Sequence, residues 1–167
     1  MEKLLTFMLI LASTVVLWVK DVEIYLMDRA YRTVQYGLEH GVHDAALQID
    51  FEALSNGEIH FDETKAEEAL FNTLQMNIPV DEFLYPTNNL FLEGPIIIRD
   101  LFYLDDDYID PVLGSTLTFP FTWEYTTASN YTFQRAIFGP SIALAVDVKV
   151  KGSDEYKTLL VIQEYKR

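Results

Sequence analysis

Residues 4–19 read LLTFMLILASTVVLWV, an uncharged run whose only polar side chains are Thr6, Ser13 and Thr14. Ten of these sixteen residues are Leu, Ile, Val or Phe. At roughly −0.3 to −0.6 kcal/mol each for membrane insertion, they contribute about −3 to −6 kcal/mol. The three hydroxyls can bond back to their own helix and do not cancel that gain. At about 1.5 Å per residue the run is roughly 24 Å long, short of a hydrocarbon core of about 30 Å. Trp18 and the long stems of Lys3 and Lys20 can fill the difference at the two interfaces.

The expectation is a membrane anchor helix over residues 1–20 and an acidic domain over residues 21–167 that stands outside the cytoplasm. Two other readings of the run stay open, a cleaved signal peptide and the buried helix of a soluble protein. Lys20, Asp21, Val22, Glu23, Ile24 and Tyr25 follow it, with no small-x-small cleavage pattern. Lys3 and Lys20 nearly balance in the positive-inside count, and the acidic remainder puts the N-terminus inside.

Working outward, no proline occurs before Pro79 and no turn cluster interrupts residues 21–50. Apolar or small side chains recur at Val22, Tyr25, Leu26, Ala30, Val34, Leu38, Val42, Ala45, Ala46 and Ile49. Spacings of three and four describe one helical face, so the anchor continues as a single amphipathic helix to about Ile49. On that helix Gly37, Gly41 and Ala45 form a stripe of small residues. Each mid-helix glycine costs about 1 kcal/mol relative to alanine. Close packing against another backbone would explain them, either the chain's own sheet or the helix of a second subunit. A local kink is the alternative.

Ser55, Asn56 and Gly57 make a turn, and Asp62 can cap a second helix that ends before Pro79. Its expected buried face holds Ala66, Ala69, Leu70, Phe71 and Leu74. From Pro95 the texture turns to β, with strands expected over residues 96–103, 115–125, 131–137, 141–150 and 158–165. Ala143, Ala145 and Asp147 alternate with Leu144, Val146 and Val148, the period-two mark of a sheet with one buried face. The fold class is therefore α+β: a long N-terminal helix (anchor, then amphipathic stalk), a short second helix, and an antiparallel β-sheet.

Twelve Lys and Arg stand against 26 Asp and Glu, a formal net charge of −14. Such a surface repels phosphate backbones and anionic lipid headgroups, so nucleic acid is not an expected partner. The chain has no cysteine, which excludes disulfides, thiolate metal sites and cysteine nucleophiles.

Candidate chemistry is sparse. Glu39, His40, His43 and Asp44 share a helix, with the two histidines at i and i+3, but two histidines are a weak metal signal. Asp105, Asp107 and Asp110 offer oxygens for calcium, without the glycine and distal glutamate of an EF-hand loop. A solvated acidic turn is the plainer account. Ser141 and Ser153 lack a nucleophile-elbow setting, and neither a phosphate loop nor a dinucleotide fingerprint occurs. Phe119, Phe121, Trp123 and Tyr125 alternate along one expected strand and read as sheet core before they read as a ligand platform. No cofactor, no catalytic residue and no transition metal are expected.

An N-terminal membrane helix that continues as an amphipathic helix and is followed by an antiparallel sheet resembles the type IV pilin and pseudopilin plan. The segment Val42-His43-Asp44-Ala45-Ala46-Leu47-Gln48-Ile49 is similar to the Asp-Ala-Ala-rich stretch of TadE-like minor pseudopilins. Pilins carry a glycine before the hydrophobic stretch and a glutamate just inside it. Here no glycine precedes Gly37 and no acid lies within residues 4–19. The resemblance then implies a membrane-resident assembly component rather than a processed shaft subunit. The expected function is that of a non-enzymatic bacterial protein of a pilus-like or secretion apparatus. Its expected partners are the membrane, other proteins of that assembly and a further copy of itself. An anchored extracytoplasmic sensor or ligand-binding domain is the rival.

Overall fold

A computed structural model describes residues 2–88, 90–109, 114, 116, 118–128 and 130–166, with Glu2 as backbone only. Helix α1 (Glu2–Ala46) is unbroken across position 20. It is followed by α2 (Phe51–Ser55), α3 (Glu63–Asn77) and five strands: β1 (Ile97–Leu104), β2 (Phe121–Thr126), β3 (Thr132–Ile137), β4 (Ser141–Val148) and β5 (Lys157–Glu164). The layout is α+β, with all strand pairings antiparallel.

The expected helical face is buried from Ala30 onward, through Val34, Leu38, Val42, Ala45 and Ala46. Val22, Tyr25 and Leu26, assigned to the same face, are exposed instead, because the buried stretch of the helix begins only at Ala30. The helix also stops at Ala46 rather than near Ile49. Ile49 bridges to Phe61, with Asp50 N donating to His60 O and Asp62 N to Gln48 O. Asp50 then caps the five-residue α2, a helix the periodicity did not register.

Asp62 does cap α3, its carboxylate accepting from Lys65 N, and Ile78 closes the helix just before Pro79. Ala66, Leu70 and Leu74 are buried, while Ala69 and Phe71 are half-buried. Helix α3 runs back along α1 and covers the small stripe. A Cβ at Gly37 would lie 2.5 Å from Ile78 Cγ1, and one at Gly41 would lie 3.0 Å from Leu70 Cδ1. The element facing these glycines is neither the sheet nor a second subunit's helix. It is the chain's own α3, with Leu70, Leu74 and Ile78 in the space. Ala45 is buried in the same core.

Strand order in the main sheet is β1-β4-β5, so β4 is central. Every residue of β4 is buried, which corrects the expectation of one buried face. Ile142, Leu144, Val146 and Val148 join the core under α1 and α3. Ala143, on the opposite face, packs with Leu104, Trp123 and Ile137 under the separate β2-β3 hairpin. The molecule thus has helices on one face of the sheet and a hairpin on the other. The strand expected over residues 115–125 is confined to β2, after the cis Phe119-Pro120 bond; Ser115 and Leu117 lie outside the described residues.

The contact at the stripe sets an order of mutational cost. Gly41→Ala meets Leu70 Cδ1 at 3.0 Å and Leu74 at 3.3 Å, contacts that need a shift of a few tenths of an ångström, and gains helix propensity, so its stability should stay within about 1 kcal/mol of the parent. Gly37→Ala meets a β-branched side chain at closer range and should cost about 1–3 kcal/mol. Thermal unfolding of the full chain in detergent checks this, and equal stability of the two variants would contradict the packing.

Candidate functional site: the anchor helix and its collar

Every residue from 3 to 26 is exposed, the whole uncharged run included. Among the described residues one helix is long and apolar enough to cross a membrane, with an 18-residue window of mean hydropathy 1.8 and none of it buried. The reading as the core helix of a soluble protein therefore fails. Ser13 Oγ donates to Leu9 O at 2.9 Å and Thr14 Oγ1 to Ile10 O at 2.8 Å. Polar atoms within the run are thus satisfied without water, as a lipid environment requires.

Chain direction decides what surrounds the helix where it enters the domain. α1 runs into the domain and α3 runs back out, so residues 78–88 and 90–96 lie at the end from which the apolar half projects. β1 starts beside Asp147 and β4 ends there, so the β4–β5 loop lies at that end too. Together they form a collar. Tyr31 Oη donates to Ser153 Oγ at 3.2 Å, and Lys157 Nζ sits 5.0 Å from the centre of the Tyr31 ring. Lys151 N donates to Phe91 O, and Glu93 N to Lys149 O, which tie the two loops together. Between helix and loops runs a cleft of about 910 Å³, with Lys20, Ile24, Met27 and Arg29 on one wall and Leu90 and Lys151 on the other.

The loop itself is held firmly. Asp81 Oδ1 accepts from Phe83 N and Tyr85 N, both at 2.9 Å, and Thr87 N donates to Pro79 O. Leu84 takes a φ of 60° and turns its side chain into the core. Phe83, Tyr85 and Leu90 point outward. No linear pattern announced this surface, because its place beside the anchor follows from the return of α3.

The metal and calcium candidates are differently placed. His40 and His43 are exposed, Glu39 accepts from Gln35 Nε2 and Asp44 accepts from Thr73 Oγ1 at 2.6 Å. Among the described residues no three His, Cys, Asp or Glu side chains converge as a metal site. Asp105 is 8% exposed, not a solvated turn residue. Its carboxylate accepts from Phe61 N at 3.1 Å and Asp107 N at 3.2 Å, while Asp106 accepts from Ile59 N at 2.8 Å. Asp107 lies 2.8 Å from His60 Nδ1, and Asp110 lies outside the described residues. The acidic run clamps residues 59–61 to the end of β1.

Phe119, Phe121 and Tyr125 are half-buried around the buried Trp123 and line the second core. Trp123 meets Phe102 edge-on at 5.2 Å. Tyr125 Oη donates to Asp100 Oδ2 at 2.7 Å, and burial, then Asp100, push its hydroxyl up to about 12. Nearby, Asp147 pairs with Arg99 Nε at 2.6 Å and accepts from Thr158 Oγ1. Sequence reading missed this network, since strand pairing brings Arg99 and Asp147 together from 48 positions apart. Ser141 and Ser153 donate to Gly139 O and Glu155 O.

Burial raises the Asp105 carboxyl above the ordinary carboxylate value, against the lowering by the Phe61 and Asp107 N–H groups and by His60. The native state therefore binds this proton more readily than the unfolded chain, and this group alone favours folding as pH falls through its native value. Removing the acceptor leaves a buried N–H unpartnered, so Asp105→Ala should cost about 1–3 kcal/mol. Asp107→Ala, which removes an exposed carboxylate beside the half-buried His60, should cost less than about 1 kcal/mol. Chemical denaturation of the two variants checks the difference.

Set against family models, curated proteins and solved structures, the chain matches none.

Proposed function

We propose that this chain is a non-enzymatic, single-span membrane protein of a bacterial pilus-like or secretion apparatus. α1 would serve as anchor and docking stalk, and the sheet domain as the part that meets protein partners outside the cytoplasm. The observation that carries the reading is the continuity of α1. One helix passes without a break from an apolar half that is exposed throughout to a half buried in the core. A rigid link of that kind transmits position between membrane and domain, as an assembly component needs. The TadE-like and pilin-like resemblance supports the same class. The absence of an acid within residues 4–19 speaks for a resident component over a polymerising one.

The rival is an anchored ligand-binding domain. Both faces of the main sheet are filled by side chains, from the helices on one side and the hairpin on the other, which speaks against a pocket enclosed by the sheet. The surface charge disfavours nucleic acid. Partners are thus the membrane, proteins of the assembly and further copies of the chain.

Two measurements test the reading. The parent should stay with membranes through alkaline carbonate. Leu9→Asp with Val16→Asp should be released, since two central acids at about 2.5–3.5 kcal/mol each offset the whole insertion gain. Release of the intact parent would end the anchor reading. Cross-linking from Leu11→Cys in native membranes should then capture defined protein neighbours. Recovery of only monomer, with a tightly bound small molecule, would favour the sensor.

A further inference from the structure

The collar faces the side from which the anchor projects, and its outer surface is apolar where a water-facing loop has no need to be. Phe83, Tyr85 and Leu90 are 71%, 55% and 74% exposed. They are presented by a loop that Asp81 and the Leu84 turn hold in shape, so exposing them is part of the folded structure. The apolar character of α1 does not stop at Lys20 either: Ile24, Tyr25 and Leu26 are exposed beyond it.

We propose that the collar docks on the lipid surface, with Leu90 and Phe83 inserted at the headgroup boundary and the domain seated flush on the bilayer. This rests on the anchor reading above. The uncharged run ends at Val19, so Lys20 marks where the helix leaves the hydrocarbon core. The headgroup zone adds roughly 5–7 Å, about four more residues. That zone coincides with Lys20 and Ile24, which share one cleft with Leu90. The loop is thereby brought to the depth at which the helix leaves the lipid. The chemistry of the cleft agrees. Its walls are apolar at Ile24, Met27 and Leu90, and Lys20 is paired with Glu23 at 2.7 Å. Tyr85 is of the type that favours this boundary.

The absence of native cysteine allows single probes in the full chain. Leu90→Cys, Phe83→Cys, Leu17→Cys in the anchor and Phe51→Cys at the far end are each labelled with a polarity-sensitive fluorophore. The protein is reconstituted in phosphatidylcholine–phosphatidylglycerol vesicles carrying nitroxide lipids. The proposal expects emission at Leu90 and Phe83 to be lost to a shallow nitroxide, that at Leu17 to a deep one, and that at Phe51 to neither. Leu17 quenched with Leu90 unquenched overturns collar docking and leaves the anchor standing. If Leu17 too is unquenched, the anchor reading falls and docking with it. Quenching at all four sites would mean unspecific adsorption. A blue shift at Leu90 that tracks protein-to-lipid ratio without quenching would assign the surface to a second copy; either result overturns the proposal.

Discussion

Leu70, Leu74 and Ile78 of α3 sit on the part of α1 where Gly37 and Gly41 present no side chain, and much of the molecule follows from that contact. Two glycines in mid-helix cost about 2 kcal/mol together relative to alanine. Burying each of the three large side chains contributes about 1.5–3 kcal/mol, so the close approach is favourable. Because α3 must lie antiparallel to make it, the chain is delivered back to the end where α1 leaves the domain. The collar loop and the start of β1 are placed there as a consequence.

The second constraint is the central position of β4. A strand buried on both faces needs a cover on each side, and the two covers differ in kind. Branched residues at Ile142, Leu144, Val146 and Val148 meet the helices, while small Ala143 leaves room for the Trp123 ring. The aromatic hairpin is thereby a second lid on the sheet. Clefts remain in the collar and where the hairpin meets the main sheet, beside Asp100, Tyr125 and Asp147.

Charge is handled in a way that composition conceals. Asp50, Asp62, Asp81, Asp105 and Asp106 all accept backbone N–H groups at helix starts, turns or bridges. Asp147 is held by Arg99 and Thr158. A chain so acidic keeps its irregular segments in shape with carboxylates, in place of extra backbone pairing. This is why an acidic run that could ligate calcium on paper turns its oxygens toward Phe61, Ile59 and Asp107.

The sequence by itself determined whatever is encoded within a turn or two of chain. The uncharged run at residues 4–19, the three-and-four spacing from Ala30, the Asp62 cap and the β-rich second half were all legible, because each is a local preference of backbone and side chain. The small stripe was visible too, as an unexplained cost. What covers it was not, since α3 and the sheet are equally available to a linear reading. Tertiary structure alone decided that Val22, Tyr25 and Leu26 stay uncovered, that β4 is buried twice, and that Arg99 meets Asp147. It also decided that the loop around Leu90 lies beside the helix exit. Those are outcomes of which elements compete for the same apolar surface, and that competition is settled only when the whole chain has packed.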